Sequence, residues 1–235
     1  MRKNEPRKWD GARLGATPIL MGTVFACGGC PAEQVAWRDT FSVDKASLTA
    51  TGANTFFTLA PGAQSRFTDG EVVLTITVLN ETQVVDGVTT RVIEEREEIG
   101  GQPLEVSRNY FAIDPATGDV YYFGEDVDIY ENGQLANHEG AWLSGVEGAR
   151  FGLFMPGTIE IGDRFYQEVA PGVAEDRAEI VATDATVNTP AGTFQNCLHI
   201  RETSPLESGQ SQKWFAPDVG LVQDDEFVLT EFSRP

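Results

Sequence analysis

Carboxylates are the most abundant side chains in this sequence that could do chemistry. They cluster as Asp114 with Asp119, as Glu125 with Asp126 and Asp128, and as the run 224–226. Oxygen-rich loops can bind Ca²⁺, but none of these has the D-x-D-x-D-G-x5-E spacing of an EF-hand loop. Carboxylate pairs also hydrolyse glycosides, yet in so acidic a chain they arise by chance. The sequence therefore predicts no catalytic residue, metal site or cofactor, and a solvated acidic rim formed by Asp114, Asp119, Glu125, Asp126 and Asp128.

Other catalytic groups are scarce. The sequence has two histidines, His138 and His199, and no G-x-S-x-G elbow accompanies either of them. A zinc site would need His and Cys at short, repeated spacings, and a phosphate site would need a glycine-rich loop between a strand and a helix. Both histidines are therefore predicted to be structural, and the protein is predicted not to be an enzyme.

The cysteines point to export rather than to redox chemistry. Cys27 and Cys30 form a C-x-x-C pair, but Pro31 follows where haem attachment would need His, and no thioredoxin-like helix is predicted after them. In an oxidising compartment Cys30 could pair with Cys197. The alternative is two unpaired thiols.

The N-terminal residues resemble a secretory signal. Five basic residues precede an apolar run over 17–26, which is too short to span a bilayer as a helix. The run ends in Val24-Phe25-Ala26-Cys27, which resembles the bacterial lipobox, although Phe25 is larger than that pattern prefers. Residues 1–26 are thus predicted to be a signal or anchor segment, with Cys27 as the lipidated N-terminus. The alternative is an uncleaved apolar segment packed on a membrane or another subunit.

The charge balance restricts the possible partners. With 17 Lys and Arg against 36 Asp and Glu, the net charge is −19. Cleavage before Cys27 would remove five basic and two acidic residues and leave a net charge of −22. Such a surface repels phosphate backbones, so nucleic acid is excluded as a partner. It favours solubility, cations or a basic protein partner.

The remaining elements predict an all-β fold with little helix. Residues 71–79 are rich in Val, Ile, Leu and Thr, and Asp86-Gly87 and Asn132-Gly133 are typical of type I′ hairpin turns. No segment has a sustained helical period. We expect a linker over 27–53 and one domain over 54–235, a single antiparallel meander curled into a half-barrel or barrel. The apolar run 151–156 is predicted to be a crossover, or a lid, over one end.

A C-terminal unit resembles one found in many bacterial exported proteins and lipoproteins, a group largely without assigned activities. It consists of a T-P-A-G-T-F turn (residues 189–194), the strand that follows it, and the sequence W-F-A-P-D-V-G-L-V (residues 214–222). Asp218 stands where those proteins usually have Gly, and Phe215 stands where Tyr is common. The resemblance implies export and an antiparallel β fold, and it supplies no catalytic residue.

Together these features predict a lipoprotein anchored on the periplasmic or cell-surface side of a bacterial membrane. Its expected role is that of a non-catalytic binding or accessory subunit whose acidic rim docks a basic partner or a membrane complex. A carrier of a small apolar ligand is the first alternative, and a carboxylate-dependent hydrolase is the second. A cavity lined by aromatic residues such as Tyr110, Tyr122 and Phe123 would favour the carrier, whereas carboxylates that converge in a cleft would favour the enzyme.

Overall fold

The computed structural model describes residues 36–235, and within them the chain is almost entirely β-structure. A short 3-10 helix, Lys45–Ser47, is the single helical element there. The strands are β1 Gln64–Thr68, β2 Val72–Val85, β3 Val88–Ile99, β4 Gln102–Ile113, β5 Val120–Glu131, β6 Gln134–Asn137, β7 Trp142–Leu143, β8 Arg150–Met155, β9 Arg164–Tyr166, β10 Glu168–Val169, β11 Arg177–Thr189, β12 Gly192–Thr203, β13 Ser211–Ala216, β14 Gly220–Asp224 and β15 Phe227–Ser233.

Two antiparallel meanders form the wall. Strands β2 to β5 pair in chain order, as do β11 to β15, and β1 joins the two meanders by pairing with both β2 and β15. On the other side, β5 pairs with β8, and β8 pairs with β10. The strand order is therefore β10-β8-β5-β4-β3-β2-β1-β15-β14-β13-β12-β11-β9. The predicted antiparallel barrel is confirmed: one sheet is nearly closed on itself.

The two ends of the sheet are consecutive in the chain, which closes the barrel. β9 pairs with β11 at one edge and β10 pairs with β8 at the other, and Gln167 alone separates β9 from β10. The backbone of Gln167 passes so close to Gly152 of β8 that a Cβ atom on Gly152 would lie 2.4 Å from the Gln167 carbonyl carbon. Gly152 is therefore required where the chain crosses the seam.

The predicted hairpin turns are present. Asp86 and Gly87 have φ angles of 51° and 80°, and Asn132 and Gly133 have φ angles of 54° and 74°. Both pairs thus have the positive φ values of a type I′ turn. They connect β2 to β3 and β5 to β6.

Residues 36–53 differ from the predicted linker, because they pack on the barrel. Arg38 forms a bridge with Phe165, Thr49 forms one with Ile113, and the side chain of Leu48 is buried. Phe41 and Val43 also pack against the core. These apolar anchors are too widely spaced to show a strand or helix period, which explains why the sequence pattern indicated a linker.

The apolar run 151–156 is neither a lid nor a crossover loop, because it forms most of strand β8 within the wall. Its Leu153 and Met155 side chains are buried in the larger of two apolar clusters, which lies among β2–β5, β8 and β11–β13. A smaller cluster contains Phe67, Leu74, Val222, Phe227 and Leu229. A cavity inside the barrel borders both clusters.

Candidate functional site

A cavity of about 200 Å³ lies inside the barrel and opens to the surface. Its mouth includes the exposed side chains of Val173 and Leu206. One part of its wall is apolar and aromatic, and the other part is rich in carboxylates. The apolar part comprises Phe57, Phe67, Ile76, Val78, Ile93, Phe111, Tyr122, Val127, Phe154, Phe215 and Leu221.

Strand register determines which side chains of the first meander reach the cavity. In one row Ile76, Glu95, Ser107 and Val127 lie side by side across β2 to β5. In the next row Val78, Ile93, Asn109 and Glu125 do the same. All eight line the cavity, because residues two apart on a strand share a face. Glu95 and Glu125 are thus the carboxylates of these two rows.

A bulge in β5 directs Glu125 inwards. Both Tyr122 and Glu125 line the cavity, although residues three apart on a regular strand face opposite sides. The register between β4 and β5 shifts between Asn109 and Phe111, and Gly124 has a φ of 139°. The extra residue at this point reverses the alternation, so that Glu125 faces the interior and Asp126 is exposed.

Hydrogen bonds order the side chains around Glu125. The Tyr122 hydroxyl donates to Asn109 Oδ1 at 2.6 Å, and Asn109 Nδ2 donates to Ser107 Oγ at 3.0 Å. Burial raises the pKa of the Tyr122 hydroxyl well above its ordinary value, so Tyr122 stays a hydrogen-bond donor. The Trp142 side chain is only 6% exposed, and its indole Nε1 makes no hydrogen bond of standard geometry within residues 36–235. It faces Glu125 and lowers the pKa of that carboxyl.

The opposite wall contains a buried ion cluster on the second meander. Lys213 Nζ lies 2.7 Å from Glu202 Oε2 and 3.8 Å from Asp224 Oδ2. Gln167 Nε2 donates to Glu202 Oε1 at 2.9 Å. Burial alone would lower the pKa of Lys213, but the charges of Asp224 and Glu202 outweigh burial and raise it. Lys213 is thus a fixed positive charge that neutralises its own neighbours.

A third group of acidic side chains comes from the segment that closes the barrel. The Asp176 backbone N–H donates to Glu168 Oε1 at 2.6 Å, and Glu168 is 3% exposed. Burial, and then the nearby Asp176 carboxylate, raise the pKa of Glu168 well above its usual value. The seam of the barrel therefore contributes a carboxyl that ionises less readily than an exposed glutamate.

Glu95 and Glu125 titrate near neutral pH. Burial raises the pKa of Glu95 to about 7; Lys213 opposes this and Glu202 adds to it. Burial, and then the charge of Glu95, raise the pKa of Glu125 to about 8. Both residues are half-buried, and both line the cavity. Within residues 36–235 the side chain of Glu95 makes no hydrogen bond.

Acidic groups outnumber basic ones around the cavity. Eight acidic side chains line it, against the two basic side chains of Lys213 and Arg234. Among residues 36–235, no group of three or more His, Cys, Asp or Glu side chains is placed to hold a metal ion. The excess of acidic groups favours a cation or a hydrogen-bond donor over an anion at this wall.

The structure does not bring the predicted acidic rim together. Asp114 and Asp119 belong to the β4–β5 turn, where their carboxylates accept hydrogen bonds from the backbone N–H groups of Ala116 and Gly157, each at 2.8 Å. Asp126 accepts from Tyr110 at 2.6 Å, and Asp128 lies 2.9 Å from His138. At about 3.3 Å per residue, Asp128 is roughly 30 Å along β5 from Asp119. Glu125 does not lie on the outer surface as predicted for the acidic rim, because the bulge at Gly124 directs its side chain inwards.

The histidines are in structural contacts. His199 stacks on Trp214 with a centroid distance of 4.6 Å, and its Nε2 lies 2.7 Å from Gln212 Oε1. His138 Nδ1 lies 2.8 Å from the Val127 carbonyl oxygen. Neither histidine lines the cavity.

Cys197 is buried in the smaller apolar cluster. Cys27 and Cys30 lie outside the described residues, so lipidation at Cys27 and a Cys30–Cys197 disulfide stay predictions. Of the three aromatic residues expected at a ligand cavity, Tyr122 lines it. The other two do not line it: the Tyr110 hydroxyl donates a hydrogen bond to Asp126, and the Phe123 ring stacks on Phe151.

The sequence pattern missed the main acidic residues of the cavity. Glu95 stands in the charged run E-E-R-E-E, in which no alternation of apolar and polar residues shows which side chains face inwards. Glu202 and Lys213 are separated by a polar loop. One signal was available: Lys213 lies two residues before Phe215 and so shares its strand face, which implies a buried charge that needs partners.

Comparisons with known proteins give little further information. No family model and no curated protein matches the chain. A crystal structure described as a "putative lipoprotein" from Parabacteroides distasonis matches with 15% sequence identity and a TM-score of 0.35, over 78% of this chain and 100% of that one. A TM-score this low supports no conclusion about shared fold or function. Within residues 36–235, no helix has the length and hydropathy of a membrane span.

Proposed function

We propose that this protein is a lipid-anchored, extracytoplasmic binding protein whose barrel holds a small organic molecule. The observation that carries the proposal is the cavity of about 200 Å³, which has an apolar part, a carboxyl-rich part and an opening to the surface. Binding pockets are typically apolar with a few convergent polar groups, and those for drug-sized ligands measure roughly 300–1,000 Å³. The ligand should therefore be small, with about one ring.

Location is proposed from the sequence alone. The basic start, the apolar run over 17–26 and Cys27 support export and lipid attachment. The barrel would then stand beside the outer face of a membrane and be joined to it through the residues before 36. The acidic exterior suits such a domain because it keeps the protein soluble and away from anionic headgroups.

Calorimetric titration of the purified protein with three molecules of similar shape tests the proposal. The molecules are phenethylamine, phenethyl alcohol and 3-phenylpropionate, which are cationic, neutral and anionic. We expect at least one to bind the wild type and to lose affinity in Ile76→Phe, because the new ring fills the cavity. Val84→Phe is the matched control, since Val84 is on the same strand and is 65% exposed. Failure of all three to bind would contradict the proposal.

A carboxylate-dependent hydrolase is the second candidate, and one observation favours it. Glu125, with its pKa raised to about 8, is largely protonated at neutral pH and faces the same cavity as Glu95. A protonated carboxyl beside an ionised one is the arrangement used for glycoside cleavage. Release of nitrophenol from 4-nitrophenyl glycosides by the wild type, and not by Glu125→Gln, would establish this activity. Equal rates in both proteins would exclude it.

A further inference from the structure

We propose that the ligand is an organic cation, an amine attached to an apolar or aromatic group, whose ammonium binds between Glu95 and Glu125. This inference rests on the proposed function, because it assigns the ligand class to the same cavity. It depends on the difference between the two acidic walls, on the Trp142 N–H that faces Glu125 and on the aromatic surface in the same wall.

The two acidic walls differ in how closely a protein cation approaches their carboxylates. On the second meander, Lys213 is within 4.0 Å of both Glu202 and Asp224. On the first meander, neither Glu95 nor Glu125 makes an ion pair within residues 36–235. A carboxylate buried without a cation is unfavourable. A ligand ammonium would supply that missing charge, and the Glu95–Glu125 wall is the place in the cavity for it.

Two buried hydrogen-bond donors, Trp142 and Tyr122, lie beside Glu125. The Trp142 indole N–H is buried and lacks a hydrogen bond of standard geometry, although it faces the Glu125 carboxyl. A bound ammonium would favour the ionised form of Glu125. The Trp142 N–H and the Tyr122 hydroxyl would then both face a carboxylate, which accepts hydrogen bonds more strongly than a protonated carboxyl does.

The apolar part of the ligand has a surface ready for it. Phe111 stacks on Tyr122 with a centroid distance of 4.8 Å and meets Phe154 edge-on at 4.9 Å. These three aromatic side chains lie in the same wall as Glu125, with Val78 and Ile93 beside them. A ring in this position would bury its faces against aromatic carbon while its ammonium reached the carboxylates.

Binding of a cation should release protons, since Glu95 and Glu125 are partly protonated at neutral pH. The charged and titratable groups that face them are Tyr122 on β5, Glu168 on β10, Asp176 before β11, Glu202 on β12, Lys213 on β13 and Asp224 on β14. Lys213 keeps its charge, so the proton comes from the carboxyl cluster. Affinity should therefore rise with pH, by up to about tenfold per pH unit below the pKa of about 8 of Glu125 for each proton released.

The test uses the same three molecules and measures preference and proton release. Titrations of the wild type at neutral pH, in buffers with different ionisation enthalpies, give the number of protons released. We expect phenethylamine to bind at least tenfold more tightly than phenethyl alcohol, to release about one proton, and to bind more tightly as the pH approaches 8. The anion 3-phenylpropionate should bind most weakly of the three.

Substitutions then locate the ammonium. Glu125→Gln and Glu95→Gln should each weaken phenethylamine at least tenfold and change phenethyl alcohol less than twofold. Asp126→Asn removes the same charge from the neighbouring, outward-facing residue and should leave all three affinities unchanged. Because glutamine nearly preserves the shape of glutamate, circular dichroism and thermal unfolding should report folded proteins.

The possible outcomes separate this inference from the function it rests on. If phenethyl alcohol or 3-phenylpropionate binds the cavity as tightly as phenethylamine, the cation inference is wrong and the binding function stands. If phenethylamine is preferred but Glu125→Gln and Asp126→Asn weaken it equally, the preference comes from overall charge, and the proposed subsite is wrong. If none of the three binds, both proposals are contradicted.

Discussion

Glu125 and Glu202 are both acidic side chains of the barrel interior, but their surroundings give them different roles. Glu202 is 1% exposed, with Lys213 Nζ 2.7 Å from one oxygen and Gln167 Nε2 2.9 Å from the other. Glu125 has no such cation, and burial raises its pKa to about 8. Glu202 therefore stabilises the fold, whereas Glu125 is available for a ligand.

Removal of the Glu202 charge should destabilise the protein. In Glu202→Gln, Lys213 would lose its nearest counter-charge, 2.7 Å away, and keep Asp224 at 3.8 Å. Breaking a buried pair typically costs 3–5 kcal/mol, and we expect about 3 kcal/mol here. Urea unfolding at neutral pH measures this loss. Glu125→Gln, which removes a desolvated carboxyl without a cation partner, should unfold at the wild-type denaturant concentration or above, and an equal loss in both variants would contradict the distinction.

Stability should fall as pH rises through neutrality. The pKa of Glu125 is higher in the folded state, about 8, than its ordinary value of 4.5, so folding binds this proton more tightly. This contribution to the free energy of unfolding is fully present below about pH 4.5 and is lost as pH rises through about 8. Between these two values it falls by about 1.4 kcal/mol for each pH unit. Unfolding curves over this range should show a smaller fall in Glu125→Gln. A wild type that gains stability over the same range would contradict the assignment.

At the scale of the elements, the bulge in β5 determines which acidic residue enters the cavity. Gly124 combines a φ of 139° with a close contact: a Cβ there would lie 2.4 Å from the Trp142 carbonyl oxygen. Only glycine fits both conditions. The contact holds β7 against β5 while the extra residue turns Glu125 inwards.

Gly124→Ala should therefore be more destabilising than its conformation alone explains. Gly192 has a similar φ of 146° with no atom within 4 Å of a Cβ, so Gly192→Ala measures the backbone strain by itself, of order 1–3 kcal/mol. Gly124→Ala should lose that amount plus about 1–3 kcal/mol from the clash. Thermal unfolding of both variants compares them. Equal losses would show that the contact with Trp142 is unimportant.

The difference between local and long-range features explains what the sequence could predict. Asp86-Gly87 and Asn132-Gly133 specify their turns within two residues, so the hairpins and the antiparallel barrel were predictable. The inward position of Glu125 depends on a bulge whose Gly124 contacts Trp142, 18 positions away in the chain. The cavity depends on Glu95, Glu202 and Lys213, which meet only when the barrel closes. Such groupings have no signal in the local pattern.

At the scale of the whole molecule, the barrel would be connected to a membrane through its N-terminal residues. Cys27→Ser should move the protein from the membrane fraction to the soluble fraction, because the predicted lipid would then be absent. Fractionation followed by immunoblotting measures this, and the intact mass reports cleavage. Retention of the variant in the membrane, or of Met1 in the mass, would instead support an uncleaved apolar anchor.

A basic protein partner also stays a prediction at this scale. The predicted rim residues are spread along β5 and its turn, and Glu125 is internal, so docking would depend on the overall negative charge more than on one patch. Pull-downs with the full protein in detergent should then lose any partner at high salt, because exposed charges are screened beyond about 8 Å at physiological ionic strength. A partner that is retained at high salt would contradict electrostatic docking.

The most direct test of an internal cation site is a crystal structure of the protein grown with saturating phenethylamine near pH 8. The account predicts the ring against Phe111 and Ile93, with the ammonium within hydrogen-bonding distance of the Glu125 or Glu95 carboxylate. An empty cavity, or phenethylamine bound only on the outer surface, would contradict it.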